Sequence, residues 1–196
     1  MTTENSASNR ISIHRLTPGR WDDLVTLFGP ERGAHGGCWC MWWRMTTSVF
    51  EQASRADRRD DFRAIVESGT PTGVLAYAGK TPVGWCAVGP RDSLPKLMRS
   101  RVAKPLEGDT DKVWMINCFF VDRDHREAGL MGVLIDGALG YARDNGARMV
   151  EACPVEPARP LIWGEAFIGI ASVFRQAGFD EVARRSPTRP LMRIMV

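Results

Sequence analysis

The feature that most constrains the fold is a long apolar strand that leads directly into a helix. Residues 113–121 (VWMINCFFV) are rich in the apolar residues that suit a buried strand of a sheet. A short polar turn follows, and apolar residues then recur at helical spacing over residues 129–145, before Gly146. This order predicts a mixed α/β fold in which the strand lies centrally.

The other elements follow from the same periodicities. The dipeptide Gly79-Lys80 between apolar runs is typical of a tight hairpin turn. We expect further strands at 11–16, 73–78, 82–89, 148–153, 179–185 and 190–196, and helices at 18–28, 48–68 and 169–177, with Thr17 as an N-cap. Residues 31–47 are expected to be irregular, and 90–110 a polar loop or short helix. The sequence predicts a disordered N-terminal tail at 1–10 and a single domain at 11–196.

Composition argues against several classes of protein. The 26 Lys and Arg against 23 Asp and Glu give a net charge of +3, with the signs interspersed, which does not favour nucleic-acid binding. No apolar run approaches the length of about 18 residues that a membrane span needs, and residues 1–10 lack the apolar core of a secretion signal. The odd number of cysteines, five, then favours a cytoplasmic protein with free thiols. Cys86, Cys118 and Cys153 are expected in the core.

The turn between strand 113–121 and helix 129–145 has the features of a phosphate-binding site. The first amides of a helix have no partner within the helix, and the aligned peptide dipoles make that end positive. A phosphate placed there accepts several hydrogen bonds at once. Arg126 supplies a positive charge beside this position, and Gly129 supplies a small residue at the helix start.

This stretch is similar to the acyl-CoA motif of the GCN5-related N-acetyltransferase (GNAT) superfamily, Gln/Arg-x-x-Gly-x-Gly/Ala. Here it reads Arg126-Glu127-Ala128-Gly129-Leu130-Met131, and Val121 matches the apolar residue that ends the family's fourth strand. Met131 departs from the usual Gly/Ala, although Gly132 follows it. Residues 174–179 (FRQAGF) also resemble the end of the family's last helix, Tyr-x-x-x-Gly-Phe. The alternative is a surface arginine followed by an ordinary turn glycine.

The resemblance implies a GNAT-like central mixed sheet, flanked by helices, in which the fourth and fifth strands splay apart. It implies that the pantetheine arm of acetyl-CoA pairs with the backbone of Phe119, Phe120 and Val121. An amide of this strand would polarise the thioester carbonyl. The pyrophosphate would bind the backbone of Arg126, Glu127, Ala128, Gly129, Leu130 and Met131. The resemblance further implies direct attack by an amine, without a metal.

Two catalytic roles lack an obvious residue. The family's tyrosine that protonates the leaving thiolate corresponds here to Phe174, which has no proton to donate, so water or Ser172 would have to substitute. Asn117 and Glu151 are candidates for a base or a water-holding residue, ahead of Glu156 and His35. For Asn117 and Glu151, an ordinary role as a strand residue or a hydrogen-bond partner remains open.

Residues 35–44 (HGGCWCMWWR) combine three tryptophans with two thiols. A metal site made by His35, Cys38 and Cys40 is disfavoured, because a single Cys-x-Cys with one histidine lacks a fourth ligand. Two interpretations stay open. The tryptophans pack this loop onto the core, or Trp39, Trp42 and Trp43 line a pocket for the acceptor.

Together these features predict an N-acetyltransferase that moves an acetyl group from acetyl-CoA to an amine, a small molecule rather than a protein. We expect neither nucleic acid nor membrane as a partner, and a homodimer remains possible. The alternatives are a non-catalytic acyl-CoA sensor of the same fold, and an interaction module that uses the aromatic cluster as its partner surface.

Overall fold

The computed structural model describes residues 11–106, 112–126, 129–157, 159 and 165–196. Seven strands form one mixed sheet in the spatial order β1-β2-β3-β4-β5-β7-β6. They are β1 (Ile11–Arg15), β2 (Gly73–Ala78), β3 (Thr81–Pro90), β4 (Val113–Val121), β5 (Met149–Ala152), β6 (Asp180–Arg184) and β7 (Pro190–Met195). Of the neighbouring pairs, β4 and β5 run parallel and the others antiparallel. The predicted mixed α/β class is therefore confirmed.

Six helices accompany the sheet in the described part of the chain. They are α1 (Trp21–Phe28), α2 (Thr47–Gln52), α3 (Arg55–Glu67), α4 (Pro95–Met98), α5 (Leu130–Asp144) and α6 (Ala171–Gln176). Short 3-10 turns lie at Pro18–Arg20, His35–Gly37, Arg91–Ser93, Arg123–His125 and Glu165–Ile168. Within the described ranges, no helix is long and apolar enough to cross a membrane.

The single helix predicted over residues 48–68 is wrong, because the chain breaks between α2 and α3. Ala53 adopts an extended conformation, and Ser54 then starts a new helix. The hydroxyl of Ser54 accepts a hydrogen bond from the amide of Asp57, whose carboxylate accepts one from the amide of Ser54. This reciprocal capping box stabilises a helix start inside what the periodicity suggested was one helix.

The start of the first helix also differs from the prediction. Pro18 begins a 3-10 turn, the α-helix begins at Trp21, and the Thr17 side chain makes no capping hydrogen bond. The predicted hairpin is confirmed: Gly79 and Lys80 join β2 to β3, and Gly79 has a φ of 61°, which favours glycine.

Hydrophobic side chains form a layer on each face of the sheet. One layer packs α5 and α6 against strands through residues such as Leu134, Ile135 and Phe174. The other packs α1 and α3 against the opposite face through Trp21, Phe62 and others. The predicted core cysteines Cys86, Cys118 and Cys153 are buried and all five thiols are free.

Candidate active site

The two central parallel strands separate halfway along β4. The pairing of β4 with β5 covers only Val113 to Ile116. On its other edge, β4 remains paired with β3 up to Val121. After Ala152 the chain leaves the sheet, and within its described part it next makes an isolated bridge between Val155 and Ile170. Within the described residues, the edge of β4 over residues 117–121 therefore has no strand paired with it on the β5 side, and this unpaired edge is the gap that the resemblance implied.

A β-bulge at Asn117 marks the point of separation. Cys118 pairs with Ala87 and Ile116 pairs with Val88, so Asn117 is the extra residue on β4. The bulge reverses which face the following side chains occupy. Phe119 consequently joins the layer with α6, whereas Phe120 lies on the other face, 5.3 Å from the Phe28 ring.

The first amides of α5 lie shortly after the end of β4 in the chain. Gly129 is the N-cap residue, in the left-handed conformation with φ of 72°, and its carbonyl accepts a hydrogen bond from the amide of Gly132. The amides of Leu130 and Met131 are the first two of the helix and have no acceptor within it. Among the described residues, no atom lies within 4 Å of a Cβ atom added at Gly129, so this part of the chain leaves room there for a ligand.

The described side chains of this segment, other than glycine, contact the core or the end of β4. Leu130 is buried in the α5 layer, and the Met131 side chain packs against the same layer. Arg126 folds back over the end of β4, where its Nε donates to the carbonyl oxygen of Val121 at 3.2 Å. The two other residues predicted for this site, Glu127 and Ala128, lie outside the described residues.

His35 lies beside this site, although the sequence ranked it low. Its half-buried ring lies 6.0 Å from the rings of both Phe120 and Phe167. Burial, and secondarily the positive charge of Arg126, lower the pKa of His35, which favours the neutral imidazole. No local sequence signal could reveal this, because the neighbours of His35 come from β4 and from the turn at Glu165–Ile168.

Glu151 is held as a buried counter-ion between two arginines. It is fully buried on β5; its Oε2 accepts from Nη1 of Arg91 at 2.7 Å, and its Oε1 accepts from Nε of Arg193 at 2.9 Å. Both carboxylate oxygens are thus engaged by guanidinium groups. This geometry favours the hydrogen-bond role that the sequence left open over that of a general base.

Asn117 is 5% exposed and lies where β4 leaves β5. Its side-chain amide reaches the carbonyl of Met115 only at 3.5 Å, a long contact. Its backbone carbonyl accepts a hydrogen bond from Nε1 of Trp43 at 3.1 Å. The Cys-Trp segment is therefore attached to the sheet at the point where the strands separate.

The structure also places the remaining acid and base candidates. Phe174 is fully buried, with its ring 6.0 Å from that of Phe119 and 5.0 Å from that of Phe179. Ser172 is exposed, two residues before Phe174 on α6, so the helical turn directs it away from β4. Glu156 pairs with Arg175 and with Arg184. Because Ser172 and Glu156 do not face the gap, the predictions of Ser172 as a proton donor and of Glu156 as a base are not supported by the structure.

The tryptophans of residues 35–44, the Cys-Trp segment, occupy two different environments. Trp39 is 1% exposed and packs against the rings of Trp21 and Phe28, so it belongs to the core and is removed from the acceptor pocket. Trp42 and Trp43 instead line a cavity of about 540 Å³. Within the described residues, His35, Cys38 and Cys40 do not converge as metal ligands.

Residues of α4 and of the turn after it also line this cavity, which no sequence pattern predicted. Among the described residues, the lining consists of the two tryptophans, Thr46, Thr47, Pro95, Lys96, Arg99 and Ser100. This described lining combines aromatic, hydroxyl and basic groups and contains no carboxylate. The predicted polar region at 90–110 gave no signal for this role, because its partners lie some fifty residues earlier in the chain.

Comparison with known proteins agrees with this architecture. Many solved structures share the fold, and three of them serve as examples. They are PaiA N-acetyltransferase of Thermoplasma acidophilum with coenzyme A (11% identity, TM-score 0.53, covering 95% of this chain and 99% of that one), yncA of Salmonella typhimurium with acetyl-CoA (14%, 0.53, 95% and 94%), and the ribosomal-protein-alanine N-acetyltransferase of Brucella melitensis (17%, 0.51, 94% and 99%). No curated protein matches the sequence closely. Residues 38–162, more than half of the chain, match the acetyltransferase (GNAT) family, and the protein therefore belongs to that family.

Proposed function

We propose that the protein is an N-acetyltransferase that moves the acetyl group of acetyl-CoA directly to the amine of a small molecule. The observation that carries the proposal is the gap along β4 residues 117–121, which leads to the open amides at the start of α5. The gap presents backbone groups to an extended ligand, and the helix start suits a diphosphate. Acetyl-CoA combines these two shapes in one molecule.

Acetyl-CoA would lie with its diphosphate at Gly129 to Met131 and its pantetheine arm along β4. Arg126 would add positive charge at the diphosphate end. The thioester would then reach the bulge at Asn117, where a backbone amide of β4 would polarise its carbonyl oxygen. Such a fixed donor stabilises the negative charge that grows on that oxygen in the tetrahedral intermediate. PaiA and yncA, which share this fold, were solved with coenzyme A and acetyl-CoA.

The acceptor would enter from the cavity beside Trp43. Because Trp43 both lines this cavity and binds the carbonyl of Asn117, the cavity lies next to the expected position of the thioester. Its volume of about 540 Å³ suits a small molecule. The amine nitrogen would attack the carbonyl carbon, and the C–S bond would break to release coenzyme A as a thiolate. The proton that the nitrogen loses on becoming an amide would pass through water to that thiolate.

The acid and base steps require little from the protein. Phe174 and the ion-paired Glu151 offer no proton transfer at the gap. A thiol with an ordinary pKa near 8.5 leaves readily near neutral pH. An amine that binds in its neutral form needs no base before it attacks, and water can take the proton that its nitrogen loses afterwards. We therefore expect turnover that rises with pH as the acceptor amine deprotonates.

A thiol-release assay tests the proposal. The full-length protein is mixed with acetyl-CoA and a panel of primary amines, and free coenzyme A is measured with a thiol reagent while the N-acetyl product is identified by mass spectrometry. We expect release that depends on one class of amine. Release of thiol without N-acetyl product would refute transfer to nitrogen.

A second candidate function, a non-catalytic acyl-CoA sensor, is favoured by one observation. The position of the family's tyrosine is a phenylalanine in the core, and Ser172 faces away from the gap. A sensor would bind acetyl-CoA tightly, as measured by calorimetry, and would turn over no amine in the same panel. A protein whose melting temperature does not respond to acetyl-CoA fits neither function.

A further inference from the structure

We propose that the cavity lined by Trp42, Trp43 and Lys96 binds an oxyanion, a carboxylate in the first place, carried by the acceptor. The preferred acceptor would then be an amine that also bears an acidic group beside an apolar or aromatic body. This inference rests on the proposed function and adds the chemical class of the acceptor.

Lys96 is the residue that points to an anion. Its Nζ atom is buried and has no hydrogen-bond partner among the described residues. It lies 3.0 Å from the centre of the Trp42 ring and 5.9 Å from that of Phe50. A cation–π contact offsets part of the cost of burying the charge, but an ammonium group carries three N–H donors that the ring faces do not satisfy. An oxyanion in the cavity that Lys96 lines would accept these hydrogen bonds once the ammonium group turns from the Trp42 ring towards it, because its buried position at the ring is closed to a ligand atom.

The surrounding charges favour the same ligand. Arg99 adds a second positive charge to the lining, and the hydroxyl groups of Thr47 and Ser100 can donate to an oxyanion. Desolvation lowers the pKa of Lys96. The negative charge of the Glu51 carboxylate raises that pKa, but by less. Glu51 is exposed and does not line the cavity. A bound carboxylate would supply the counter-charge that the lining lacks.

The position of the cavity connects the anion to the reaction. The backbone carbonyl of Trp43 accepts a hydrogen bond from the amide of Lys96 at 3.3 Å, and its indole binds the carbonyl of Asn117. One tryptophan thus joins the cationic end of the cavity to the bulge of β4. An acceptor held by its acidic group at Lys96 would present its body along the indole towards the thioester. The apolar faces of Trp42 and Trp43 would contact that body.

Matched pairs of ligands test the inference without requiring catalysis. Thermal shift and calorimetry are carried out on the full-length protein with 3-phenylpropanoate against 3-phenylpropan-1-ol, and with phenyl phosphate against phenol. We expect the acids to bind and each neutral partner to bind roughly 10- to 100-fold more weakly. The variant K96M should lose this preference and K96R should keep most of it. The control K80M, at the exposed β2–β3 turn, should behave as wild type.

Each other outcome counts against the inference. Equal binding of acid and alcohol, binding of neither, or an undiminished preference in K96M would overturn it. Weaker coenzyme A binding in K96M, with no change for the acids, would assign the cavity to the cofactor instead. The proposed function is tested separately: acetyl-CoA binding and thiol release with a neutral amine remain measurable if the acid preference is absent.

Discussion

Replacing Glu151 with glutamine distinguishes a structural carboxylate from a catalytic one. The substitution removes one buried negative charge and little volume. It leaves Arg91 and Arg193, whose side chains are 8% and 18% exposed, without their shared counter-ion. We therefore expect a large loss of stability and, in the protein that remains folded, little loss of turnover.

The expected size of the loss follows from the contacts. At an effective dielectric constant of about 20, two unit charges about 4 Å apart attract each other by about 4 kcal/mol. Glu151 has two such partners, but desolvation of the three groups offsets much of the gain. Removing one member of a buried ion pair costs about 3–5 kcal/mol. In a chain of this length, that loss lowers the Tm by roughly 6–20 °C.

Urea denaturation followed by circular dichroism measures the free energy of unfolding of E151Q against wild type. The control is E67Q, which removes a carboxylate from the exposed i,i+4 pair with Arg63 and should change stability too little to resolve. Turnover is measured in the thiol-release assay at a temperature where both proteins are folded. A variant as stable as wild type whose kcat falls 100-fold or more would refute this reasoning and restore Glu151 as a base.

Three further predictions concern the proposed cofactor site and its neighbours. G129V should weaken coenzyme A binding in calorimetry by more than 10-fold and destabilise the fold by about 1–3 kcal/mol, since φ is 72° there. G129N should be the milder change, because asparagine tolerates that conformation. Equal affinity of wild type and both variants for coenzyme A would count against the site. F174Y should raise kcat in the thiol-release assay if proton donation limits turnover. It should lower the free energy of unfolding by about 1–3 kcal/mol, because the ring packs against Gly169 and Phe119. An unchanged kcat would show that this proton transfer does not limit the rate. His35 should make the free energy of unfolding fall as the pH drops below about 6.5, because its pKa is lowered in the folded state and the unfolded chain then binds more protons. H35Q should lose that part of the pH dependence. Identical curves of unfolding free energy against pH for the two proteins would contradict the assignment.

The order of elements was largely readable from the sequence, because local patterns determine it. The apolar run of residues 113–121 matches β4 at both of its bounds, and the predicted helix 129–145 differs from α5 by one residue at each end. The prediction of one helix over 48–68 was wrong because a local capping signal interrupts the helical periodicity. A capping box competes with helical periodicity, and the hydrogen bonds of Ser54 with Asp57 prevail over it.

The sequence by itself determined the β4–turn–α5 unit and its resemblance to the family's acyl-CoA motif, since backbone amides at a helix start depend only on residues that are adjacent in the chain. The tertiary structure alone decided the roles of the isolated side chains. Glu151 meets Arg91 across 60 residues, and Trp43 meets Asn117 across 74. It also separated Trp39, which faces the core, from Trp42 and Trp43, which face a cavity with Lys96. The physical reason is that the burial and charge environment of a side chain depend on residues brought near it by folding, which no spacing within one segment reveals.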